Sequence, residues 1–142
     1  MGDTEDFLTA VLPQMVGEVV AVHGGDAGPR LALWSHTDPV TLLGAEMTRR
    51  GWDQLEPAFR WLAESFSGSG SCEYEVLAAE ASGDLGYVVA IEHSVASRRG
   101  SPLTSYALRV TTLFRREAGV WKVVHRHGDR YDESNALPDS TG

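Results

Sequence analysis

The sequence has little cysteine, no long apolar run and few basic residues. Its 142 residues include one cysteine, Cys72, which excludes an internal disulfide and a cysteine-based zinc site. The longest unbroken aliphatic stretch is Val19–Val22, far short of the roughly 20 residues that a membrane span requires. Twelve Lys and Arg against twenty Asp and Glu give a formal net charge of −8, which opposes binding to phosphate backbones. We therefore expect neither a membrane nor a nucleic acid as a partner.

The length and the remaining composition indicate one folded domain. Hydrophobic residues make up 42% and charged residues 23%, as in ordinary globular proteins. The first seven residues are acidic and lack the basic and apolar regions of a signal peptide, so we expect a cytoplasmic protein. Residues 132–142 have little to bury. We expect the domain to cover residues 1–131 and residues 132–142 to form a disordered tail.

Hydrophobic periodicity places helices before strands. Apolar residues at spacings of three and four predict a helix over 4–22, capped by Thr4, and a second long helix over 51–66. A short helix is expected over 27–35. Strands are predicted at 40–43, 72–81, 86–96, 104–116 and 120–128. This order predicts an α+β fold in which an antiparallel sheet packs against the helices of the first half.

The last hairpin can be registered by its side chains. A turn at Ala118-Gly119 sets Arg116 opposite Trp121, and side chains on each strand alternate between two faces. One predicted face then carries Leu108, Val110, Thr112, Phe114, Trp121, Val123, His125 and His127. The reverse face carries Arg109, Thr111, Arg115, Lys122 and Arg126. On the preceding strand the apolar alternation is Tyr87, Val89, Ile91, His93 and Val95, which predicts that His93 joins the first face near Tyr106.

His125 and His127 are the candidate catalytic pair. They are two residues apart on one strand, so their rings project from one face about 7 Å apart. Imidazole exchanges a proton near neutral pH, which suits an acid/base pair in a polar pocket. The alternative is that both rings are buried and only bond the scaffold. His-x-His also chelates metals, but His93 would lie some 14 Å away, and we expect no metal.

Several segments resemble the SnoaL-like proteins of the nuclear transport factor 2 superfamily, which also includes ketosteroid isomerase. The match covers about residues 5–130, and the closing Gly-x-Trp-Lys-x-x-His-x-His is its most specific part. The segments are WSHTDPVTLLGA (34–45), RGWD (50–53), GDLGY (83–87), LRVT (108–111) and FRREAGVWKVVHRH (114–127). The resemblance implies a cone-shaped barrel of a curved sheet wrapped around N-terminal helices, enclosing one pocket, commonly in a homodimer.

The resemblance by itself does not select one function, because this fold hosts isomerases, cyclases, dehydratases, hydrolases and binding modules. With His125 and His127 as an acid/base pair, we expect a cofactor-free isomerase, cyclase or dehydratase that acts on a small apolar molecule of polyketide or terpenoid type. A different class remains open, namely a ligand-binding or dimerisation module without catalysis, because this fold hosts both. The residues expected to contact the substrate are Trp34, His36, Trp52, Tyr87, His93, Tyr106 and Thr112.

Overall fold

The computed structural model describes residues 2–138 and shows an α+β fold. The helices are α1 (Asp3–His23), α2 (Gly28–Leu33) and α3 (Trp52–Glu64). The strands are β1 (Thr41–Leu43), β2 (Thr48–Arg50), β3 (Ser71–Ser82), β4 (Leu85–Ala96), β5 (Thr104–Glu117) and β6 (Val120–Arg130). The end of the predicted tail, residues 139–142, lies outside the described part. Residues 132–138 include a turn in which Asp132 N–H donates to Asn135 Oδ1 at 2.9 Å.

Helix α1 packs its apolar stripe against the sheet. Phe7, Val11 and Met15 recur at spacings of four and are almost fully buried. The predicted cap is wrong, because α1 already begins at Asp3 behind Gly2. The Thr4 hydroxyl instead accepts a hydrogen bond of 3.2 Å from the backbone N–H of Ala81, which ties the helix to β3.

The sheet is curved and unclosed, with strand order β2-β1-β6-β5-β4-β3. Neighbouring strands run antiparallel, as predicted for the sheet, except β1 and β6, which are parallel. Strand β2 is absent from the sequence prediction, because Thr48–Arg50 shows no apolar alternation; all three residues are exposed. Its place at the sheet edge explains that exposure.

A β-bulge in β6 inverts the register predicted for the last hairpin. Near the turn the prediction is confirmed, since Phe114 pairs with Val123. The next pair is Leu113 with His125, which leaves Val124 as an extra residue on β6. Beyond this bulge, Thr112 pairs with Arg126 instead of His125. The side chain of Arg126 therefore faces the helices, and His125 lies on the outer face of the sheet, opposite to the prediction.

The predicted face of β4 is also wrong. The face turned to the helices carries Gly86, Val88, Ala90, Glu92, Ser94 and Ala96, all of them buried. These small residues leave room for the helices; a Cβ at Gly86, for example, would come within 2.8 Å of the Phe7 ring. The more hydrophobic alternation, Tyr87, Val89, Ile91, His93 and Val95, lies on the outer face. Size, not hydrophobicity, decided which face packs against α1.

Candidate functional site

A cavity of about 630 Å³ lies between the inner face of the sheet and the helices. This volume is within the range of sites that bind small organic molecules. Its apolar walls come from α1, α3 and the sheet, and include Val19, Val22, Leu42, Met47, Leu62, Phe66 and Leu108. Its polar lining includes His23, Arg30, Glu92, Tyr106 and Arg126. The fold thus builds an apolar chamber with a small set of polar groups.

His23 and Tyr106 form a hydrogen-bonded pair in the cavity wall. His23 is the last residue of α1, and its Nε2 lies 2.9 Å from the hydroxyl oxygen of Tyr106 on β5. Burial lowers the pKa of His23, so the ring is neutral at neutral pH. Burial, together with the negative charge of Glu92, raises the pKa of Tyr106. Both groups are therefore uncharged in the resting protein.

The surroundings of His23 decide which atom carries its proton. Nδ1 is buried without a hydrogen-bond partner among the described residues. It faces Gly70, where a Cβ would come within 2.7 Å of it. A proton on Nδ1 would be a buried donor without an acceptor, which is costly, so we assign the proton to Nε2. Nε2–H then donates to the Tyr106 oxygen, and the Tyr106 O–H can donate either to a molecule in the cavity or to the buried hydroxyl of Ser94, its cross-strand neighbour on β4.

Glu92 and Arg126 form a buried ion pair beside this wall. An Nη2 proton of Arg126 is donated to Glu92 Oε1 at 3.0 Å, and the Tyr74 hydroxyl donates to the same oxygen at 2.7 Å. The two charged side chains are 2% and 12% exposed. Burial alone would raise the pKa of Glu92, but Arg126 and the Tyr74 hydrogen bond outweigh burial and leave that pKa below its ordinary value. Glu92 is therefore ionised at neutral pH.

A second buried ion pair joins α1 to α2. Nε of Arg30 donates to Glu18 Oε2 at 2.7 Å, and both side chains are less than a tenth exposed. Arg30 also lines the cavity, and its positive charge helps to lower the pKa of Glu92. We refer to Glu18, Arg30, Glu92 and Arg126 together as the charged floor.

Glu92 and Tyr106 could act together on one bound molecule. Both hydrogen bonds to Glu92 end on Oε1, and none of the described residues donates to Oε2. In the sheet, Glu92 pairs with Leu108 and Ser94 pairs with Tyr106, so Glu92 and Tyr106 are diagonal neighbours on the inner face. Such neighbours are about 7–8 Å apart at their Cα atoms. A carboxylate acceptor and a hydroxyl donor at this spacing can flank a carbonyl and its adjacent carbon.

The predicted catalytic histidines lie on the outer face, away from this cavity. His125 is half-buried, and its Nδ1 lies 2.7 Å from the Thr41 hydroxyl on the parallel neighbour β1. Burial lowers the pKa of His125, and the nearby His127 lowers it further. His127 is exposed. The placement of both rings in the cavity is wrong, because the bulge at Val124 reverses the faces of β6. Their catalytic role stays a prediction.

Of the nine residues predicted for the site, Tyr106 is the one that lines the cavity among the described residues. Thr112 does face inward, as predicted, but the residue is only 3% exposed. Its Oγ1 is buried and has no hydrogen-bond partner among the described residues. Tyr87 and His93 lie on the outer face, where His93 Nε2 is 3.1 Å from Glu75 Oε1. None of Thr112, Tyr87 and His93 lines the cavity, so the structure does not place them where a ligand in the cavity would contact them.

The aromatic residues of the first half serve packing. Trp34 is 1% exposed and packs on Phe59 with ring centroids 5.0 Å apart. His36 stacks on Trp52 at 3.9 Å, and its Nε2 lies 2.7 Å from the carbonyl oxygen of Leu31. These contacts hold the loop between α2 and β1 against α3, and none of the three predicted residues lines the cavity.

Sequence reasoning missed most of the polar cavity groups. Glu18 stands inside the apolar stripe of α1, between Met15 and Val22 at helical spacing, which marks a buried carboxylate. Glu92 similarly lies on a face of β4 whose other residues are apolar or small. Arg126 carried no comparable signal, since only the bulge turns it inward. Across residues 2–138, no three His, Cys, Asp or Glu side chains converge as metal ligands, and no helix is long and apolar enough to span a membrane.

Comparisons with known proteins agree with this geometry. The model of the SnoaL-like domain matches residues 20–128. An NTF2-like superfamily protein from Salmonella enterica superimposes with a TM-score of 0.75 at 12% identity, covering 95% of both chains. A proposed dehydratase of the NTF2-like family from Streptomyces avermitilis gives 0.73 at 16%, over 90% of this chain and 98% of that one. A ketosteroid isomerase-like protein from Erwinia carotovora gives 0.69 at 19%, over 88% and 96%.

At these identities the structural matches show the fold alone. No curated protein sequence matches the chain.

Proposed function

The chain belongs to the SnoaL-like domain family, and on this premise we propose that it binds a small, mainly apolar molecule with a carbonyl group and catalyses acid/base chemistry beside that carbonyl. One observation carries the proposal: Glu92, whose Oε2 accepts no hydrogen bond from the described residues, and Tyr106, whose hydroxyl is held by His23, both line one cavity of about 630 Å³. Isomerisation, cyclisation and dehydration all require such a base and donor. The printed names of two structural neighbours, a proposed dehydratase and a ketosteroid isomerase-like protein, are compatible with these reactions.

The proposed step is enolisation. Glu92 Oε2 removes a proton from the carbon next to the carbonyl, the electron pair of that C–H bond forms a C=C bond to the carbonyl carbon, and the π electrons of the C=O bond move to the oxygen. Tyr106 donates its hydrogen bond to the oxygen as negative charge develops there. His23, through Nε2–H, holds the Tyr106 oxygen in place and is a positioning residue. Because the pKa of Glu92 is low, the carboxylate is a weak base, and only a carbon acidified by its neighbouring carbonyl would give up a proton.

Hydrogen–deuterium exchange tests this step without knowledge of the natural substrate. The probe is 2-acetylnaphthalene in D₂O, and NMR follows deuterium entering its methyl group. We expect the wild-type protein to accelerate exchange. Glu92→Gln should slow it by about 10²–10⁴-fold, since it removes the base, and Tyr106→Phe by about 10²–10³-fold, since it removes the donor. Glu75→Gln, which removes a half-exposed carboxylate from the outer face, is the matched control.

The competing assignment is tested in the same assay. His125→Gln and His127→Gln should leave exchange close to the wild-type rate, because both rings lie outside the cavity. If either substitution abolishes exchange while Glu92→Gln retains it, the outer-face histidines are the catalytic pair and this proposal is wrong. Binding of the probe without any acceleration of exchange would instead support the alternative function, a ligand-binding module.

A further inference from the structure

We propose that the charged floor selects a ligand whose inner end is uncharged, carrying an oxygen acceptor instead of a carboxylate or an ammonium group. The inference rests on the proposed function, because it concerns the same cavity. It adds a class of substrate and the residues that enforce the choice.

The charges of the floor cancel. Two carboxylates, Glu18 and Glu92, are paired with two guanidinium groups, Arg30 and Arg126, at 2.7 and 3.0 Å. All four side chains are 12% exposed or less. His23 and Tyr106 contribute no charge at neutral pH, as argued above. Arg30, Glu92 and Arg126 line the cavity, and Glu18 is paired with Arg30 outside the lining. The part of the cavity at these buried groups, which we call its inner end, therefore has no net charge, in a chain whose formal net charge is −8.

Positive and negative charges also balance at the mouth of the cavity, by which we mean its exposed lining residues Glu46, Arg98, Arg130 and Asp132. Arg98 lies 3.2 Å from Glu46 and spans the gap between the β4–β5 loop and the β1–β2 turn. Arg130 and Asp132, which also line the cavity, add one charge of each sign. Neither sign is therefore in excess along the path that a ligand would take.

An ion at the inner end would lose its hydration without gaining a counter-charge. A carboxylate there would have to compete with Glu92 for Arg126, and an ammonium would have to compete with Arg126 for Glu92. Either competition leaves one buried charge unpaired, which is strongly unfavourable. A ketone or hydroxyl oxygen needs no counter-charge and is satisfied by the Tyr106 hydroxyl.

Three probes of nearly equal shape test the selection. They are 2-acetylnaphthalene, 2-naphthoate and 1-(2-naphthyl)ethylammonium, which are neutral, anionic and cationic at pH 7.5. Their dissociation constants are measured by calorimetry. We expect the wild-type protein to bind the ketone about 10-fold or more tightly than either ion, because only the ions bring an unpaired charge into the cavity.

Removing one charge from the floor should invert the preference. Glu92→Gln leaves one excess positive charge, so the affinity for 2-naphthoate should rise about 10-fold or more relative to the ketone. Arg126→Gln leaves one excess negative charge, so the ammonium probe should gain in the same way. The double variant, Glu92→Gln with Arg126→Gln, restores neutrality and should restore the preference for the ketone. It also keeps the test informative if either single variant folds poorly.

Matched controls separate the floor from the charge of the whole protein. Glu75→Gln and Arg109→Gln change the net charge by the same amounts on the outer face, where each side chain is about half exposed. Neither should alter the ranking of the probes. The inference is overturned if the wild type binds 2-naphthoate as tightly as the ketone, or if Glu92→Gln changes the ranking no more than Glu75→Gln.

Failure of the inference is distinguishable from failure of the proposed function. If the protein accelerates hydrogen–deuterium exchange in 2-acetylnaphthalene, but Glu92→Gln and Arg126→Gln leave the order of the three probe affinities unchanged, the inference alone is contradicted. Binding of none of the three probes would count against both.

Discussion

Replacing Arg126 by Met should strand a buried carboxylate. In the wild-type protein, Glu92 is 2% exposed and bonded to Arg126 at 3.0 Å. Removing one member of a buried ion pair typically costs about 3–5 kcal/mol, because the remaining charge is uncompensated. With the unfolding entropy usual for a chain of 142 residues, this corresponds to a fall in Tm of about 10–17 °C. Differential scanning calorimetry at pH 7.5 measures it directly.

The loss of stability in Arg126→Met should depend on pH, because Glu92 is a titratable group. The pKa of Glu92 is lowered in the folded wild-type protein, so the group contributes stability above its unfolded pKa and loses it as the pH falls through the folded pKa. Without Arg126, burial is opposed only by the Tyr74 hydrogen bond and the charge of Arg30, so we expect the pKa of Glu92 to rise and mild acidification to neutralise the stranded carboxylate. The Tm difference between Arg126→Met and the wild type should therefore shrink from pH 7.5 to pH 5.

Two further variants complete the experiment. Arg109→Met removes an exposed guanidinium whose partner is Asp129 on the outer face, and it should change Tm by only a small fraction of that amount. Adding Glu92→Gln to Arg126→Met should recover most of the lost stability, since no buried charge remains. A fall in Tm of less than about 3 °C for Arg126→Met, or one that is independent of pH, would refute the reasoning.

Three other predictions follow from particular contacts. Gly70→Ala should lower both Tm and the affinity for 2-acetylnaphthalene, because its Cβ would lie 2.6 Å from the carbonyl oxygen of Val95 and 2.7 Å from His23 Nδ1, so that the His23 ring would have to move from Tyr106; unchanged affinity by calorimetry would contradict this role. Burial raises the pKa of Cys72 to about 12, so a thiol reagent at pH 8 should modify it far more slowly in the native protein than in urea; equal rates would show an accessible thiolate. The chain should form a homodimer through the outer face, where Leu113 is 40% exposed, and light scattering should give twice 15.4 kDa; a monomeric mass would reject the dimer.

Much of the fold was predictable because local patterns and packing agree. The apolar stripe of α1 and the Ala118-Gly119 turn both predicted the correct elements, and the register near that turn is correct. The predicted pairing of β5 with β6 failed beyond Phe114, where β6 has one residue more than β5. Side chains on a strand alternate with a period of two, so the extra residue Val124 exchanges the faces of everything beyond it. No feature of the sequence around Val124 marks it as a bulge.

The site was harder to predict than the fold for the same reason. The interpretation of β4 followed hydrophobicity and chose the Tyr87 face, whereas packing against α1 required the smaller residues beside Glu92. Because the faces of β4 and of the end of β6 were assigned the wrong way round, the prediction put His93, His125 and His127 in the cavity, where the structure has Glu92 and Arg126. Tyr106 was the exception, because the extra residue lies on β6 and β5 keeps the predicted alternation from Phe114 to Tyr106.

A crystal structure with 2-acetylnaphthalene bound would show which face of the sheet holds the ligand. We expect the naphthalene ring among the apolar walls of the cavity, with the carbonyl oxygen within hydrogen-bond distance of the Tyr106 hydroxyl and the methyl carbon next to Glu92 Oε2. Binding of the ketone on the outer face against His125 and His127, with the cavity empty, would contradict this expectation.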